Sequence, residues 1–96
     1  MTDPRIRKIF GHYGFRHQLE KLKEECLELA EAADDFLQDP GTKWLHVEEE
    51  MADVMNVCEQ FLIHPSVLIR VEEIRDQKLD RQISRIEKEK ERGYDA

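Results

Sequence analysis

Positive charge is what this chain most conspicuously lacks. Fifteen lysines and arginines face 22 aspartates and glutamates, for a net charge of −7 at pH 7. Nonspecific association with a nucleic-acid backbone depends on cationic surface, so the balance argues against a nucleic-acid polymer as partner. Long apolar runs are missing too: nothing approaches the roughly 18 residues of a membrane span, and the first residues lack the apolar stretch of a signal peptide. The expectation is a cytoplasmic protein that does not engage a membrane. Cysteine is scarce. Cys26 and Cys58 each fall on an apolar helical face with no Cys-x-x-Cys or Cys/His grouping, which predicts buried free thiols rather than a disulfide or zinc site. Aromatics make up only 7% of the chain, and there is no low-complexity stretch, no strand-like alternation and no repeat apart from one acidic pattern.

What the chain does have is helical periodicity. Asp3-Pro4 reads as an N-cap followed by proline at the first helical position, opening a short helix through Ile6, Ile9 and Phe10 that Gly11 and Gly14 interrupt. From Phe15 to about Leu37, apolar residues recur at Phe15, Leu19, Leu22, Cys26, Leu29, Ala33 and Phe36, the spacing of an amphipathic helix. Asp39-Pro40-Gly41-Thr42 is a turn cluster, with Thr42 placed to cap a second long helix through Trp44, Val47, Met51, Val54, Met55, Cys58, Phe61 and Leu62. His64-Pro65-Ser66 ends it, and a last helix runs to about Arg92. Its apolar face begins with Val67, Val71 and Ile74, then passes to Lys78, Arg81 and Arg85. The charged tail over 87–96 is expected to fray. The class is therefore all-α, in one domain spanning 1–96. At 96 residues such a chain buries only about 60–70% of the surface its unfolded form exposes, and the stripes offer more apolar surface than one chain covers. A homodimer or higher homo-oligomer, completing a four-helix-bundle type of core, is the expected remedy.

The one repeated pattern is acidic. Glu25 and Glu28 on the first long helix, and Glu50 and Asp53 on the second, share an i, i+3 spacing and the same shoulder of their apolar stripes. At about 100° per residue the first member of each pair lies roughly 70°, and the second roughly 130°, to one side of its stripe. Antiparallel helices facing each other have opposed rotational senses, so equal offsets put both pairs on one side of the hairpin and at similar distance from the turn. Four carboxylates brought together repel unless a counter-charge is present. An oxygen-rich cage of this kind suits Mg²⁺, with Mn²⁺ as a substitute. The other acids of these helices, Glu20, Glu24, Glu31, Glu48 and Glu49, read as solvated.

The string from Gln18 to Leu29, followed by Glu49-Glu50-Met51-Ala52-Asp53-Val54, resembles the MazG-like all-α nucleoside triphosphate pyrophosphohydrolases, whose signature is Glu-x-x-Glu, a spacer, then Glu-x-x-Asp. The resemblance covers about residues 14–86 and is nearest the small, phage-type branch. It implies a dimeric helical bundle and a Mg²⁺-dependent hydrolase acting on an acid anhydride, cutting a nucleotide between its α- and β-phosphates to leave a monophosphate and pyrophosphate. Glu25, Glu28, Glu50 and Asp53 would hold the metal. Glu25 or Glu28 would take a proton from the attacking water. Lys78, Arg81 and Arg85, which share a face at i, i+3 and i+7, resemble the family's phosphate-binding residues.

Base recognition is less legible. Gln18, seven residues before Glu25, offers an amide to a base edge or to a structural hydrogen bond. Trp44 reads as core. His12, His17, His46 and His64 show no ligand spacing, and the absence of Glu-x-x-His argues against a di-iron carboxylate bundle. Two other functions fit the same residues: a phosphoribosyl-ATP pyrophosphohydrolase, which differs in substrate, and a non-catalytic helical dimer or adaptor whose acids are merely solvated.

Overall fold

The computed structural model describes residues 2–93. Their secondary structure is helical: α1 (Pro4–Tyr13), α2 (Phe15–Gln38), α3 (Trp44–Leu62) and α4 (Pro65–Glu91). The all-α expectation holds, and the reasons are local. At the start of α1 the Asp3 carboxylate accepts the Arg5 backbone N–H at 2.9 Å, while Pro4 occupies a position whose amide would have no intrahelical partner anyway. Gly11 does not interrupt this helix, as the sequence had suggested. One interior glycine costs only about 1 kcal/mol relative to alanine, and the break falls at Gly14 alone, whose φ of 86° is open to glycine but strained for other residues.

The turn between α2 and α3 is organised by Asp39. Its side chain accepts the Gly41 amide at 3.0 Å and its carbonyl accepts the Thr42 amide at 2.9 Å, a local bonding pattern typical of aspartate in turns. Thr42 is thereby spent inside the turn, and α3 starts one residue later than expected, with Lys43 as an N-cap that makes no side-chain bond. Phe36 and Trp44 meet edge to face across this turn, their ring centroids 5.1 Å apart. Trp44 remains 49% exposed, so it closes the hairpin end and is not the core residue its pattern implied.

The chain divides into two compact units, one ending at Ile63 and the other beginning at His64. In the first unit α2 and α3 form an antiparallel hairpin, and α1 packs on both. Phe61 of α3 is met edge-on by Phe10 of α1 and Phe15 of α2, at 5.6 and 5.5 Å between centroids. Among the described residues the buried apolar side chains are Ile6, Ala32, Val47 and Val57. Burying a valine or isoleucine contributes about 1.5–3 kcal/mol each, so this core is slight, as the length had indicated.

The hairpin does not close on the centres of its apolar stripes. On α2 the buried and half-buried positions are Gln18, Leu22, Glu25, Leu29, Ala32, Ala33 and Phe36; on α3 they include Val47, Glu50, Val54, Val57, Gln60 and Phe61. Both packing faces are rotated by roughly 50–70° toward the acidic shoulder. Two consequences follow. Glu25 and Glu50 move into the helix interface, and Phe15, Leu19, Met51 and Met55 are left exposed. Cys26 is exposed with them and Cys58 is half-buried. The thiols are free, as expected, but the rotation keeps them out of the core.

The second unit is α4, in which no residue is buried. Its charged end stays helical to Glu91 and closes with Gly93 at φ 77°, the Gly93 amide donating to the Lys90 carbonyl at 3.0 Å. The last part of the tail expected to fray, residues 94–96, lies outside the described residues. No described helix is long and apolar enough to cross a membrane.

Candidate metal and ligand site

Three of the four motif acids converge. Glu25 and Glu28 of α2 and Glu50 of α3 each place a carboxylate oxygen within 4.8 Å of the others. Helix geometry explains the meeting. Residues 25 and 28 stand on adjacent turns of one face, and the rotation of the hairpin turns that face toward Glu50. Burial is graded across the group. Glu25 is 6% exposed, Glu50 is half-buried and Glu28 is exposed.

Partners are too few for the buried part of this charge. Glu25 Oε1 receives the Lys21 ammonium at 3.2 Å, and His46 Nδ1 lies 4.0 Å from Glu50 Oε1. The remaining oxygens, Glu25 Oε2 and Glu50 Oε2, are buried without any hydrogen-bond partner. A buried carboxylate oxygen in that condition is costly. The electrostatic consequence appears at Glu28, whose carboxyl is held above its ordinary value chiefly by the negative charge of Glu25, then by burial and by Glu50. The Lys21 ammonium is correspondingly held above its ordinary value by its bond to Glu25.

Asp53 is not among the three converging acids. It stands in the wall of an adjoining cleft of about 460 Å³, one helical turn beyond Glu50, and Glu25 belongs to both cluster and cleft. The cleft continues past Lys21 toward His17 and Gln18 of α2, Asn56 and Gln60 of α3 and Tyr13 of α1. The five acids read as solvated, Glu20, Glu24, Glu31, Glu48 and Glu49, are all exposed, although Glu20 and Glu24 edge this cleft.

Gln18 is 3% exposed and its amide is committed inside the protein: Nε2 donates to Gln60 Oε1 at 2.8 Å, and Oε1 meets His17 Nδ1 at 2.7 Å. Of the two roles open to it, the structural hydrogen bond is thus realised. Lys78, Arg81 and Arg85 all lie exposed on α4, within the second unit.

Several neighbours of the acids were passed over in the sequence. Lys21 had a readable signal, since lysine four residues from Glu25 shares its helix face. Gln60 and Asn56 had none, because a lone polar residue on a helix becomes a partner only once the opposite helix is in register. His17 lacks metal-ligand spacing, and its contacts are with an amide and a ring instead. Comparison with protein-family models, with curated proteins and with solved structures finds no match to this chain.

Proposed function

We propose that the protein is a divalent-cation-dependent nucleotide pyrophosphohydrolase that cuts between the α- and β-phosphates of a nucleoside triphosphate. The observation that carries this reading is the pair of buried, unpartnered oxygens, Glu25 Oε2 and Glu50 Oε2, inside a group of three carboxylates. Solvated acids would turn such atoms to water. An all-oxygen donor set suits a hard cation, Mg²⁺ or Mn²⁺, and Glu25, Glu28 and Glu50 would hold it, with Asp53 completing the set from the cleft wall. When bound, the cation supplies charge neutralisation on phosphate oxygens and lowers the pKa of water.

The chain's own residues do the rest. Glu28 is the acid suited to taking a proton, because it is the exposed member of the three and can meet water. Lys21 shields Glu25 from its neighbours and offers a point charge at the cleft wall. Lys78, Arg81 and Arg85 of α4 offer point and forked charges of the kind that bind phosphate. The exposed apolar side of the hairpin, including Phe15, Leu19, Met51 and Met55, supports a homodimer in which a second copy covers it.

The test is release of pyrophosphate from a panel of ribo- and deoxynucleoside triphosphates plus phosphoribosyl-ATP, with and without Mg²⁺. Wild-type protein should release it only with the metal, and Glu25→Gln or Asp53→Asn should abolish release while the far-ultraviolet circular dichroism stays helical. No release from any member of the panel, or wild-type turnover after two of the acids are neutralised, would leave a helical adaptor as the better account.

A further inference from the structure

Beyond the acids, the same cleft contains a chain of side-chain amides whose polarity can be deduced. Gln60 Nε2 lies 3.2 Å from the backbone carbonyl of Asn56. A carbonyl only accepts, so the Gln60 atom facing it must be the NH₂ group and the Gln60 oxygen must face away. That oxygen therefore accepts from Gln18 Nε2 at 2.8 Å. The Gln18 oxygen is left facing His17 Nδ1 at 2.7 Å and can only accept, which puts a hydrogen on Nδ1. Both glutamines are buried, at 3% and 2% exposure, so neither can turn to water to relieve a mismatch. One backbone carbonyl thus sets the direction of the whole chain out to an exposed imidazole.

At its outer end this chain carries an aromatic stack. His17 lies parallel to Tyr13, with centroids 4.7 Å apart and planes 15° from parallel, and His12 meets Tyr13 edge-on at 4.7 Å. Tyr13 is 52% exposed, and both stacked residues line the cleft together with Gln18, Asn56 and Gln60. Along α2, His17 and Gln18 precede Glu25 by seven or eight residues, roughly 10–12 Å at the helical rise. A ring at one end and phosphates at the other is how a nucleotide would occupy a cleft of that length.

We infer that Tyr13 and His17 form a subsite for the base of a nucleotide, the base extending their stack in the cleft while Gln18 and Gln60 hold the His17 ring in place. The amide chain bears on the site through His17: it accepts the Nδ1 hydrogen and so fixes the plane of the ring on which the base would stack. Base stacking on an aromatic side chain supplies affinity whatever the base. This inference deepens the pyrophosphohydrolase reading, but it can fail separately from it, because a nucleoside carries no phosphate and needs no metal.

The experiment is therefore run on the whole protein without divalent cations, titrating uridine, guanosine, cytidine and adenosine while following the His17 and Gln18 side-chain resonances by NMR. Wild-type protein should bind the nucleosides with shifts at the His17 ring, since stacking on an aromatic side chain tolerates any base. Tyr13→Ala and His17→Ala, both exposed positions, should weaken all four nucleosides by roughly tenfold. His17→Phe keeps a ring without the Gln18 hydrogen bond and should retain affinity within about threefold. Mn²⁺ binding, read by paramagnetic resonance, should be the same in all three variants and the wild type. Failure of wild-type protein to bind any nucleoside, or binding that both alanine variants leave unchanged, would overturn the subsite whether or not the acids bind Mn²⁺.

Discussion

The two sides of the α2–α3 hairpin are built from the same two helices and could hardly differ more. On one side lie Glu25, Asp53 and the amides of Gln18 and Gln60 along a cleft. On the other, Phe15, Leu19, Met51 and Met55 stand exposed in adjoining helical turns. A helix pair minimising its own exposed apolar area would close on the second set and leave the acids in water. This pair instead closes between the two, burying Glu25 to 6% exposure and leaving apolar surface outside. Carboxylate burial of this kind is retained against its cost only where something compensates it. In the proposed reading a cation would compensate it on one side, and a second copy of the chain would cover the exposed apolar surface on the other.

The most severe way to break this comparison is to charge the apolar side. A double Leu19→Lys, Met55→Lys variant should raise the dimer dissociation constant by at least about a hundredfold, since charges at the centre of a desolvated contact are strongly opposed. Sedimentation of wild-type protein at micromolar concentration should show the dimer. Monomer only in the wild type would mean that the exposed side serves no second copy.

Sharpening the polar side calls for α4. If its basic face serves the same chemistry as the acids, Lys78→Ala and Arg81→Ala should each lower kcat/KM for a cleavable triphosphate by roughly ten- to a hundredfold, the effect of losing a charge-assisted phosphate contact. Thermal stability should barely move, as exposed ion pairs contribute little to folding. Unchanged kinetics in both variants would return Lys78 and Arg81 to the solvated surface.

A smaller effect is expected from Glu28 in metal-free protein. Its folded-state pKa lies above the ordinary 4.5, so the folded state holds this proton more tightly than the unfolded state. The associated stability is complete below about pH 4.5 and is lost as pH rises through the raised value. With chelator present, Tm should therefore fall along that rise, and Glu28→Gln should flatten the fall. A wild-type slope in the variant would show that Glu28 does not feel its neighbours.

The smallest change belongs to Asp3, whose carboxyl is held down to about 2 by its bonds to Arg5. Lowering of this kind supports folding above the ordinary 3.8 and is lost as pH falls through about 2. Asp3→Ala should lower Tm by only a few degrees at neutral pH, with no effect on metal binding. A loss of Mn²⁺ affinity in that variant would show that α1 and the acid cluster are coupled.

How much of this could be read beforehand differs from residue to residue. Helix number, order and most boundaries followed from the sequence because apolar spacing, Pro4, Gly14, the Asp39–Thr42 turn and Pro65 act within a few residues of themselves. Glu25, Glu28 and Glu50 could be picked out because an i, i+3 pair on a helix has a known direction and the hairpin returns at a known height. Gly11, Thr42, Trp44 and the two cysteines were misjudged for a shared reason: each depends on which neighbour wins a local competition or on how far a helix is turned about its axis. Periodicity locates a stripe on a helix but not the part of it that a partner covers. Only the tertiary structure decided that rotation, and with it the burial of Glu25, the two unpartnered oxygens, the removal of Asp53 to the cleft wall and the meeting of Gln18 with Gln60, 42 residues away along the chain. Such contacts arise from packing two helices in one register, and no property of either helix alone contains them.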